Sequence, residues 1–232
     1  MLILSLESSA KPASVAICSN RELLGQYYQN SGLTHSRTLL VMAESLLKNL
    51  DISAADIDLI AVSCGPGSFT GVRIGVSAAK GLAWGLEKPV CGVSTLEAMA
   101  YQTAAPERAG TVPDILLCPV MDARRGQVYN ALFTWKDNKP LRLCGDRAIS
   151  LAELTAGLRD YSTPCVLLGD GAAITYEHLA AAGLDCSQAP DLMRWQTAYG
   201  VALAALETEP VSAIDLEPCY LRPSQAERLL NA

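Results

Sequence analysis

The chain has 232 residues, of which 50% are hydrophobic, and its 24 acidic and 18 basic side chains give a net charge of −6. This length and composition predict a substantial core, in one large domain or in two lobes. Because basic side chains form no long run, unaided binding to nucleic acid is not expected. No apolar stretch approaches the roughly 20 residues of a membrane-spanning helix, so no membrane association is expected.

The spacing of cysteines and histidines argues against a metal site. The eight cysteines lie at least 21 residues apart, which excludes paired zinc knuckles. We expect them to behave as small buried hydrophobic residues of a cytoplasmic protein. The two histidines, His35 and His178, are too far apart to form the HExxH pattern of zinc proteases. No set of metal ligands is therefore predicted.

The first part of the chain is predicted to form a meander of strands, then a helix and a further strand. The strands are expected at Leu2–Leu6, Ser14–Cys18, Glu22–Tyr28 and Leu59–Ser63. Leucine and alanine recur at helical spacing from His35 to Leu50, and Thr34 stands before them as a candidate cap. This order indicates a layered protein that contains both helices and strands.

A turn of small residues joins the last of these strands to the next helix. It reads Cys64-Gly-Pro-Gly-Ser-Phe-Thr-Gly-Val-Arg-Ile-Gly75. Val72 stands where a Walker A loop has its lysine, and Thr70 stands where a dinucleotide fingerprint has its third glycine. Gly65, Gly67 and Ser68 remain candidates for contact with an anion or a nucleotide. The alternative is that they form only a tight strand-to-helix turn.

The helix after this turn, predicted at Gly71–Leu86, contains four glycines, and each costs up to about 1 kcal/mol relative to alanine. Ser68 or Thr70 is expected to cap it. The glycines fall in pairs four residues apart, which predicts the close approach of another backbone, either within the monomer or from a partner. If the contact is with a partner, a leucine in place of Gly75 or Ala78 should separate the partners while the monomer stays folded.

A boundary between two halves is predicted at 104–113, which contains two prolines and a glycine. Before it, Pro89–Val93 predicts a strand, and Ser94 with Glu97 forms a capping-box pattern that opens a short helix. We expect an N-terminal lobe over 1–104 and a C-terminal lobe over 113–232. The last segment of the second lobe is expected to pack back on the first.

The second half repeats the opening of the first. Two strands, Ile115–Met121 and Gln127–Trp135, are predicted around a turn, and Asp122 follows the first of them as Glu7 follows its counterpart. Further on, the predicted elements are a helix opened by Ser150 and Glu153, a strand at 166–168, and helices at 172–182 and 197–206. The mixture predicts α/β layers in duplicated lobes.

Two acids at strand ends, Glu7 and Asp122, have two interpretations of equal weight. They could hold a metal-bound water or orient a phosphate. They could instead be turn carboxylates that accept backbone N–H groups. Arg124 and Arg125 in the second turn could bind an anion, although solvated turn charges are commoner.

Three groups of residues resemble the bacterial TsaB (YeaZ) family. They are Ser63–Gly75, Lys80-Gly-Leu-Ala83 with Gly92-Val-Ser-Thr-Leu96, and Met121-Asp-Ala-Arg124 with Glu217-Pro-Cys-Tyr-Leu-Arg222. The resemblance spans nearly the whole chain. It implies an actin-like, ASKHA-type α/β fold of two related lobes, each of which opens with a β-hairpin or meander.

The resemblance also implies a function in making threonylcarbamoyladenosine beside the tRNA anticodon. The family acts together with a catalytic paralogue, TsaD, and an ATPase, TsaE, and it reaches tRNA only through that complex. TsaD carries a His-x-x-x-His pair that binds the active-site metal. The matching residues here are Thr95 and Met99, a hydroxyl and a thioether, which cannot hold a metal comparably. No catalytic residue, metal or intrinsic cofactor is therefore implied for this chain.

The partner interface implied by the resemblance lies on the two long helices of the first lobe, and a homodimer would use the same surface. The candidate residues are Leu39, Met42, Leu46, Val72, Gly75, Ala78, Ala79 and Leu82. The alternative function is an ASKHA-class enzyme that binds ATP or transfers phosphate. Relatives usually have Asp where this chain has Glu7, which weakens that alternative. Proteolysis would need a zinc pair or a histidine-based triad that the sequence lacks.

Overall fold

The computed structural model describes residues 1–103, 115–137 and 139–222. The predicted boundary at 104–113 lies outside these residues. Within them the chain forms two mixed sheets with helices on their faces, which confirms the predicted α/β class. None of the described helices is long and apolar enough to cross a membrane.

The first sheet has five strands in the order β3-β2-β1-β4-β5. Their bounds are β1 Leu2–Glu7, β2 Ala13–Ser19, β3 Glu22–Gln29, β4 Leu59–Gly65 and β5 Val90–Ser94. Strands β1 to β3 are antiparallel neighbours, whereas β4 and β5 run parallel to β1. The central strands are buried on both faces, which explains their almost continuous apolar sequence.

Four helices cover this sheet, two on each face. Helices α1 (His35–Asn49) and α2 (Phe69–Leu86) share a core with Leu4 and Leu6 of β1. On the opposite face, α3 (Thr95–Gln102) and α7 (Ala198–Ala205) pack against Ile3. Alternate residues of one strand thus serve two cores, as the pleat of a strand requires.

Helix caps follow the sequence in part. Ser68 caps α2 by accepting the N–H of Gly71 at 3.3 Å. It is the first of the two predicted candidates, Ser68 and Thr70. Ser94 caps α3, but the carboxylate of Glu97 binds Arg142 and does not return to close a capping box. The side chain of Thr34 makes no cap hydrogen bond.

The second sheet repeats the connections of the first, in the order β10-β7-β6-β11-β12. Its strands are β6 Leu116–Asp122, β7 Gln127–Asn130, β8 Phe133–Lys136, β9 Lys139–Arg142, β10 Arg147–Ser150, β11 Cys165–Leu168 and β12 Cys186–Gln188. Its helices are α4 Leu151–Leu158 and α5 Ala172–Ala181, followed by the short α6 Asp191–Arg194. Antiparallel β7 and parallel β11 flank β6 as β2 and β4 flank β1, so the two lobes are related as predicted.

One predicted strand of the second lobe is wrong. The segment Gln127–Trp135 forms two strands, because β7 pairs with the Asp122 end of β6 while β8 pairs with its Leu116 end. Pro119 lies between these two ladders in β6 and has no N–H to donate. The Asn130 side chain donates instead to the Pro119 carbonyl at 3.1 Å, which stabilises the break.

The two lobes share an apolar cluster that combines residues of both. Leu96 and Met99 of α3 pack there with Leu117 and Met121 of β6 and with Phe133 of β8. All five side chains are at most 2% exposed. The described lobes therefore have a continuous core beneath the space between them.

The cysteines are all free, and four of them, Cys18, Cys91, Cys118 and Cys165, are buried. Burial raises the pKa of the Cys18 thiol to about 12. These four behave as the small hydrophobic residues predicted from the sequence. Cys219 is exposed and departs from that prediction.

Candidate functional site

A cleft of about 460 Å³ opens between the lobes where four turns meet. The first lobe contributes the β1–β2 and β4–α2 turns, and the second lobe contributes the β6–β7 and β11–α5 turns. The chain after α7 completes the wall. The charged residues that line the cleft are Lys11, Asp122, Arg124, Asp170 and Arg222.

The small-residue turn forms one wall of this cleft. Gly67 and Ser68 line it, whereas Gly65 is buried. The Ser68 N–H donates to the carbonyl of Ser9 at 2.7 Å, and a Cβ at Gly67 would overlap that same carbonyl oxygen. The glycine at 67 is therefore required by close packing of two turns. The two turns hold each other, and the Ser68 N–H is already occupied.

Glu7 lies behind this wall and has no exposed surface. Its Oε1 accepts the N–H and the hydroxyl of Ser9, both at 2.6 Å, and its Oε2 accepts the hydroxyl of Ser63 at 2.5 Å. Burial raises its pKa above the ordinary value, although these hydrogen bonds oppose the shift. Of the two interpretations, this geometry matches the turn carboxylate that accepts a backbone N–H.

The carboxylates that do face the cleft are Asp122 and Asp170. Asp122 accepts the N–H of Arg124 at 2.7 Å, and its other oxygen lies 3.4 Å from the guanidinium of Arg124. Asp170 accepts the side-chain amide of Gln196 at 3.2 Å, and burial raises its pKa. Among the described residues, no three His, Cys, Asp or Glu side chains are grouped so that they could hold a metal ion.

The β6–β7 turn places its cations at the mouth of the cleft in an unusual backbone conformation. Arg124 and Arg125 have φ angles of 66° and 58°, and Gly126 follows at 71°. Residues other than glycine avoid this region, and such positions concentrate at functional sites. Arg124 faces the cleft together with Lys11, and Arg125 is exposed. The cleft thus offers cations to an anionic ligand beside two carboxylates.

A second concavity lies on the outer side of α1 and α2. It is a groove of about 570 Å³, and its apolar lining includes Leu40, Phe69, Ile74 and Ala78. Leu40 is 47% exposed, and the neighbouring Val41 is 59% exposed. Exposed apolar area of this kind on a helix pair is typical of a protein-binding surface.

Comparison with known proteins identifies the family. The family model described as "TsaD: tRNA N6-adenosine threonylcarbamoyltransferase" matches residues 29–202. The tRNA threonylcarbamoyladenosine biosynthesis protein TsaB of Bacillus subtilis is 32% identical over 231 residues, which are 98% of this chain and 96% of the relative. The chain belongs to the TsaB (YeaZ) family. TsaB of Haemophilus influenzae is 28% identical over 239 residues, covering 96% of this chain and 94% of that protein.

Solved structures agree with the family and the fold. YeaZ from Pseudomonas aeruginosa superposes with a TM-score of 0.78 at 25% identity, covering 95% of this chain and 99% of that chain. Component A of (R)-2-hydroxyglutaryl-CoA dehydratase from Acidaminococcus fermentans superposes with a TM-score of 0.51 at 12% identity, over 90% of this chain and 97% of that chain. The second likeness concerns the fold alone. The predicted actin-like, ASKHA-type fold is confirmed.

In this TsaB-family chain Thr95 and Met99 lie on α3, and Met99 belongs to the apolar cluster shared by the lobes. Both side chains are fully buried, and the Thr95 hydroxyl has no hydrogen-bond partner. Met99 packs so tightly that its sulfur lies 3.0 Å from the position of a Cβ on Gly169. Neither residue lines the cleft. Met99 instead packs with Met121 of β6 and Leu168 of β11.

Six of the eight predicted interface residues face inward. Leu39, Met42, Leu46, Val72 and Ala79 belong to the core of the first lobe, and Gly75 is buried against Ser8 and Val62. The interface residues that the resemblance implied are thus mostly those that cover the sheet, which corrects their assignment to the surface. Ala78 and Leu82 are the two members that remain partly exposed.

The predicted close approach at the α2 glycines is internal. A Cβ on Gly71 would overlap the Ser8 carbonyl, and one on Gly75 would overlap the Ser8 hydroxyl, both in the β1–β2 turn. A leucine at Gly75 would therefore disturb the monomer itself, contrary to the prediction. Gly81 and Gly85, by contrast, face open space.

Sequence reasoning missed Lys11, Asp170 and Arg222 as cleft residues. The signal for Asp170 was the turn Gly169-Asp170-Gly171 after β11, which corresponds to the small-residue turn after β4. Arg222 comes from a segment without helical or strand periodicity, and no pattern indicates its position.

Proposed function

We propose that this chain is a non-catalytic subunit of a tRNA threonylcarbamoyltransferase complex. It activates a TsaD-like catalytic paralogue that works with a TsaE-like ATPase, and the product is threonylcarbamoyladenosine next to the tRNA anticodon. The observation that carries the proposal is the complete burial of Thr95 and Met99, of which Met99 lies in the apolar cluster shared by the lobes. A metal-binding histidine pair at these positions would have to face the cleft.

The comparisons support the pathway. The relatives are named for tRNA threonylcarbamoyladenosine biosynthesis, and the matching family model is named for the transferase. The hydrogen bonds that engage both carboxylate oxygens of the buried Glu7 support an accessory role. The net charge of −6 supports contact with tRNA only through the complex.

The surface proposed for the catalytic paralogue is the outer side of α1 and α2. It comprises the groove with Leu40, Ile74 and Ala78, and the adjoining exposed Val41. A homodimer through the same surface would compete with the heterodimer. Burial of exposed apolar side chains supplies the driving force for either contact.

Reconstitution tests the function. Threonylcarbamoylation of tRNA by the catalytic paralogue and the ATPase should require this chain, and the Leu40→Asp variant should lose both co-elution with the paralogue and stimulation. Leu141→Asp is the matched control, because Leu141 is 45% exposed in β9 of the other lobe. Equal product formation without this chain would refute the accessory role, and equal loss with both variants would refute the surface.

A second candidate function rests on the cleft. Lys11, Arg124 and Arg222 face it beside Gly67 and Ser68, which suits the phosphates of a nucleotide such as ATP. Calorimetry with magnesium and millimolar ATP should then show binding that Lys11→Ala weakens. Release of phosphate by this chain alone would favour an enzyme of the ASKHA class over an accessory subunit.

A further inference from the structure

The chain after α7 runs along the edge of the first lobe as a segment without helix, Val211–Arg222, which we name the C-terminal strap. It begins beside β5, where Val211 and Val90 exchange backbone hydrogen bonds of 2.8 and 3.1 Å. The ammonium of Lys80 on α2 then donates to the carbonyls of Ile214 and Leu216, at 3.1 and 2.9 Å. Leu216 is 3% exposed and belongs to the core of the first lobe.

The strap next passes over the turn that joins β4 to α2. The Cys219 N–H donates to the carbonyl of Cys64 at 2.6 Å. The Cys219 carbonyl lies so close to Gly65 that any Cβ there would overlap it, and Gly65 also has a φ of 122°. Gly65 is thus explained by the strap, since only glycine accepts both this conformation and this contact.

At the start of α2 the strap contributes one of two stacked rings, and a guanidinium contacts both of them. The rings of Tyr220 and Phe69 are stacked with centroids 4.2 Å apart and planes inclined by 20°. The guanidinium of Arg73 lies 4.0 Å from the Phe69 centroid, and its Nε donates to the Tyr220 hydroxyl at 2.9 Å. Phe69 lines both the cleft and the α1–α2 groove, so the stack stands between the two.

The strap then reaches the second lobe. Nη1 of Arg222 donates to the carbonyl of Ala123 in the β6–β7 turn, at 2.7 Å. This is the turn that carries Arg124 and Arg125 in the left-handed region. The strap therefore holds the first lobe through many contacts and the second lobe through Arg222. The apolar cluster of α3 and β6 joins the lobes beneath the cleft, while Arg222 joins them at its mouth.

We propose that the C-terminal strap acts as a latch that holds the two lobes together at the mouth of the cleft. The hydrogen bond from Arg222 to Ala123 connects the strap to the second lobe, and the stacking of Tyr220 on Phe69 fixes it to the first. Lobe opening breaks the bond from Arg222 to Ala123 and releases Tyr220, which frees Phe69 and Arg73 to change the end of the groove. The C-terminal strap thereby couples the opening of the cleft to the shape of the α1–α2 groove. The proposal concerns the isolated chain and does not depend on the proposed function.

The coupling is tested by hydrogen exchange of the full chain, read by mass spectrometry. Arg222→Ala removes the hydrogen bond to Ala123, and Tyr220→Ala removes the stacking on Phe69. Each should raise exchange about tenfold, both in 123–128 of the second lobe and in 71–75 of α2. Tyr220→Phe keeps the stack but loses the bond to Arg73, and it should give a smaller rise in the same two segments. If Tyr220→Ala does not fold, Arg222→Ala and Tyr220→Phe still decide the outcome.

Arg21→Ala is the matched control, because it removes an exposed ion pair with Glu207 at 2.9 Å, outside the cleft lining. It should leave both segments unchanged. The latch is refuted if each variant changes only the segment that it touches. It is equally refuted if neither segment changes in Arg222→Ala, or if Arg21→Ala reproduces the effect.

Discussion

Glu7 illustrates how burial and hydrogen bonding oppose each other at a single residue. Its carboxylate accepts three hydrogen bonds, which favour the charged form, yet complete burial dominates and raises its pKa. A carboxyl whose pKa is raised in the folded state binds its proton more tightly there than in the unfolded chain. Glu7 therefore stabilises the fold fully below its unfolded pKa, near 4.5, and this stabilisation is lost as the pH rises through the folded pKa.

The expected result is that Glu7→Gln melts at a higher temperature than the wild type near pH 8, and that the difference shrinks toward pH 4. Each unit of upward pKa shift corresponds to about 1.4 kcal/mol of stability lost on ionisation. Glutamine can keep the bonds to Ser9 and donate to the Ser63 hydroxyl. Thermal unfolding between pH 4 and pH 8 measures the effect.

Glu153→Gln is the control with the opposite sign. Hydrogen bonds from the N–H and the hydroxyl of Ser150 lower the pKa of Glu153, so this variant should gain no stability near pH 8. A Glu7→Gln variant that is less stable than the wild type near pH 8 would contradict the prediction.

The sequence indicated some of these residues because strand ends are recognisable. Glu7 and Asp122 were singled out by their positions after apolar strands, and the structure places both at turns around the cleft. The sequence alone does not distinguish the enclosed Glu7 from the cleft-lining Asp122, because the difference depends on Ser63 of a neighbouring strand. Glu7 and Ser63 are 56 residues apart in the sequence, so no local pattern indicates that they are hydrogen-bond partners.

At the level of elements, the glycines of α2 divide into two kinds. Gly71 and Gly75 pack against the β1–β2 turn, whereas Gly81 and Gly85 face open space. We expect Gly81→Ala to raise the free energy of unfolding by about 0.5–1 kcal/mol, because alanine is the better helix former. Gly71→Ala should lower it by about 1–3 kcal/mol, because its methyl group would overlap the Ser8 carbonyl.

Urea denaturation of the two variants measures both changes in one helix, so each serves as the control for the other. A destabilised Gly81→Ala variant would indicate that this face of α2 is covered in the isolated chain. Equal effects of the two substitutions would contradict the packing of the β1–β2 turn against Gly71.

The same helices show what periodicity can and cannot predict. The spacing of Leu39 and Leu46 located α1 within one residue of its observed end, because an apolar stripe must cover the sheet. Most of the predicted partner interface on α1 coincides with this stripe, although the stripe already packs against the sheet within the monomer. The exposed apolar side chains outside this buried stripe are Leu40, which lines the groove, and the adjoining Val41, and periodicity does not show that they are exposed.

At the scale of the whole molecule, elements that follow one another along the chain do not always belong to the same hydrophobic core. Helix α7 comes after the second lobe, yet it covers the face of the first sheet opposite α1 and α2. Ser5 of β1 donates to the Ala198 carbonyl at 2.7 Å, and the Ala198 N–H donates to Ser14 of β2 at 3.1 Å. These serines are fully buried, so α7 supplies both apolar cover and hydrogen-bond partners.

A fragment of residues 1–103 should therefore lack cooperative unfolding and bind a hydrophobic dye, although it contains every strand of the first sheet. Without α7, the buried serines and the part of one apolar face that α3 does not cover are left to water. The Gln102 side chain donates to the carbonyls of Met193 and Trp195 at 2.7 and 2.8 Å, so a short Gly/Ser linker can join Thr103 to Trp195. Fusion of 195–222 through that linker should restore a cooperative urea transition without the second lobe. A cooperative transition of the unfused fragment would show that α7 does not complete this core.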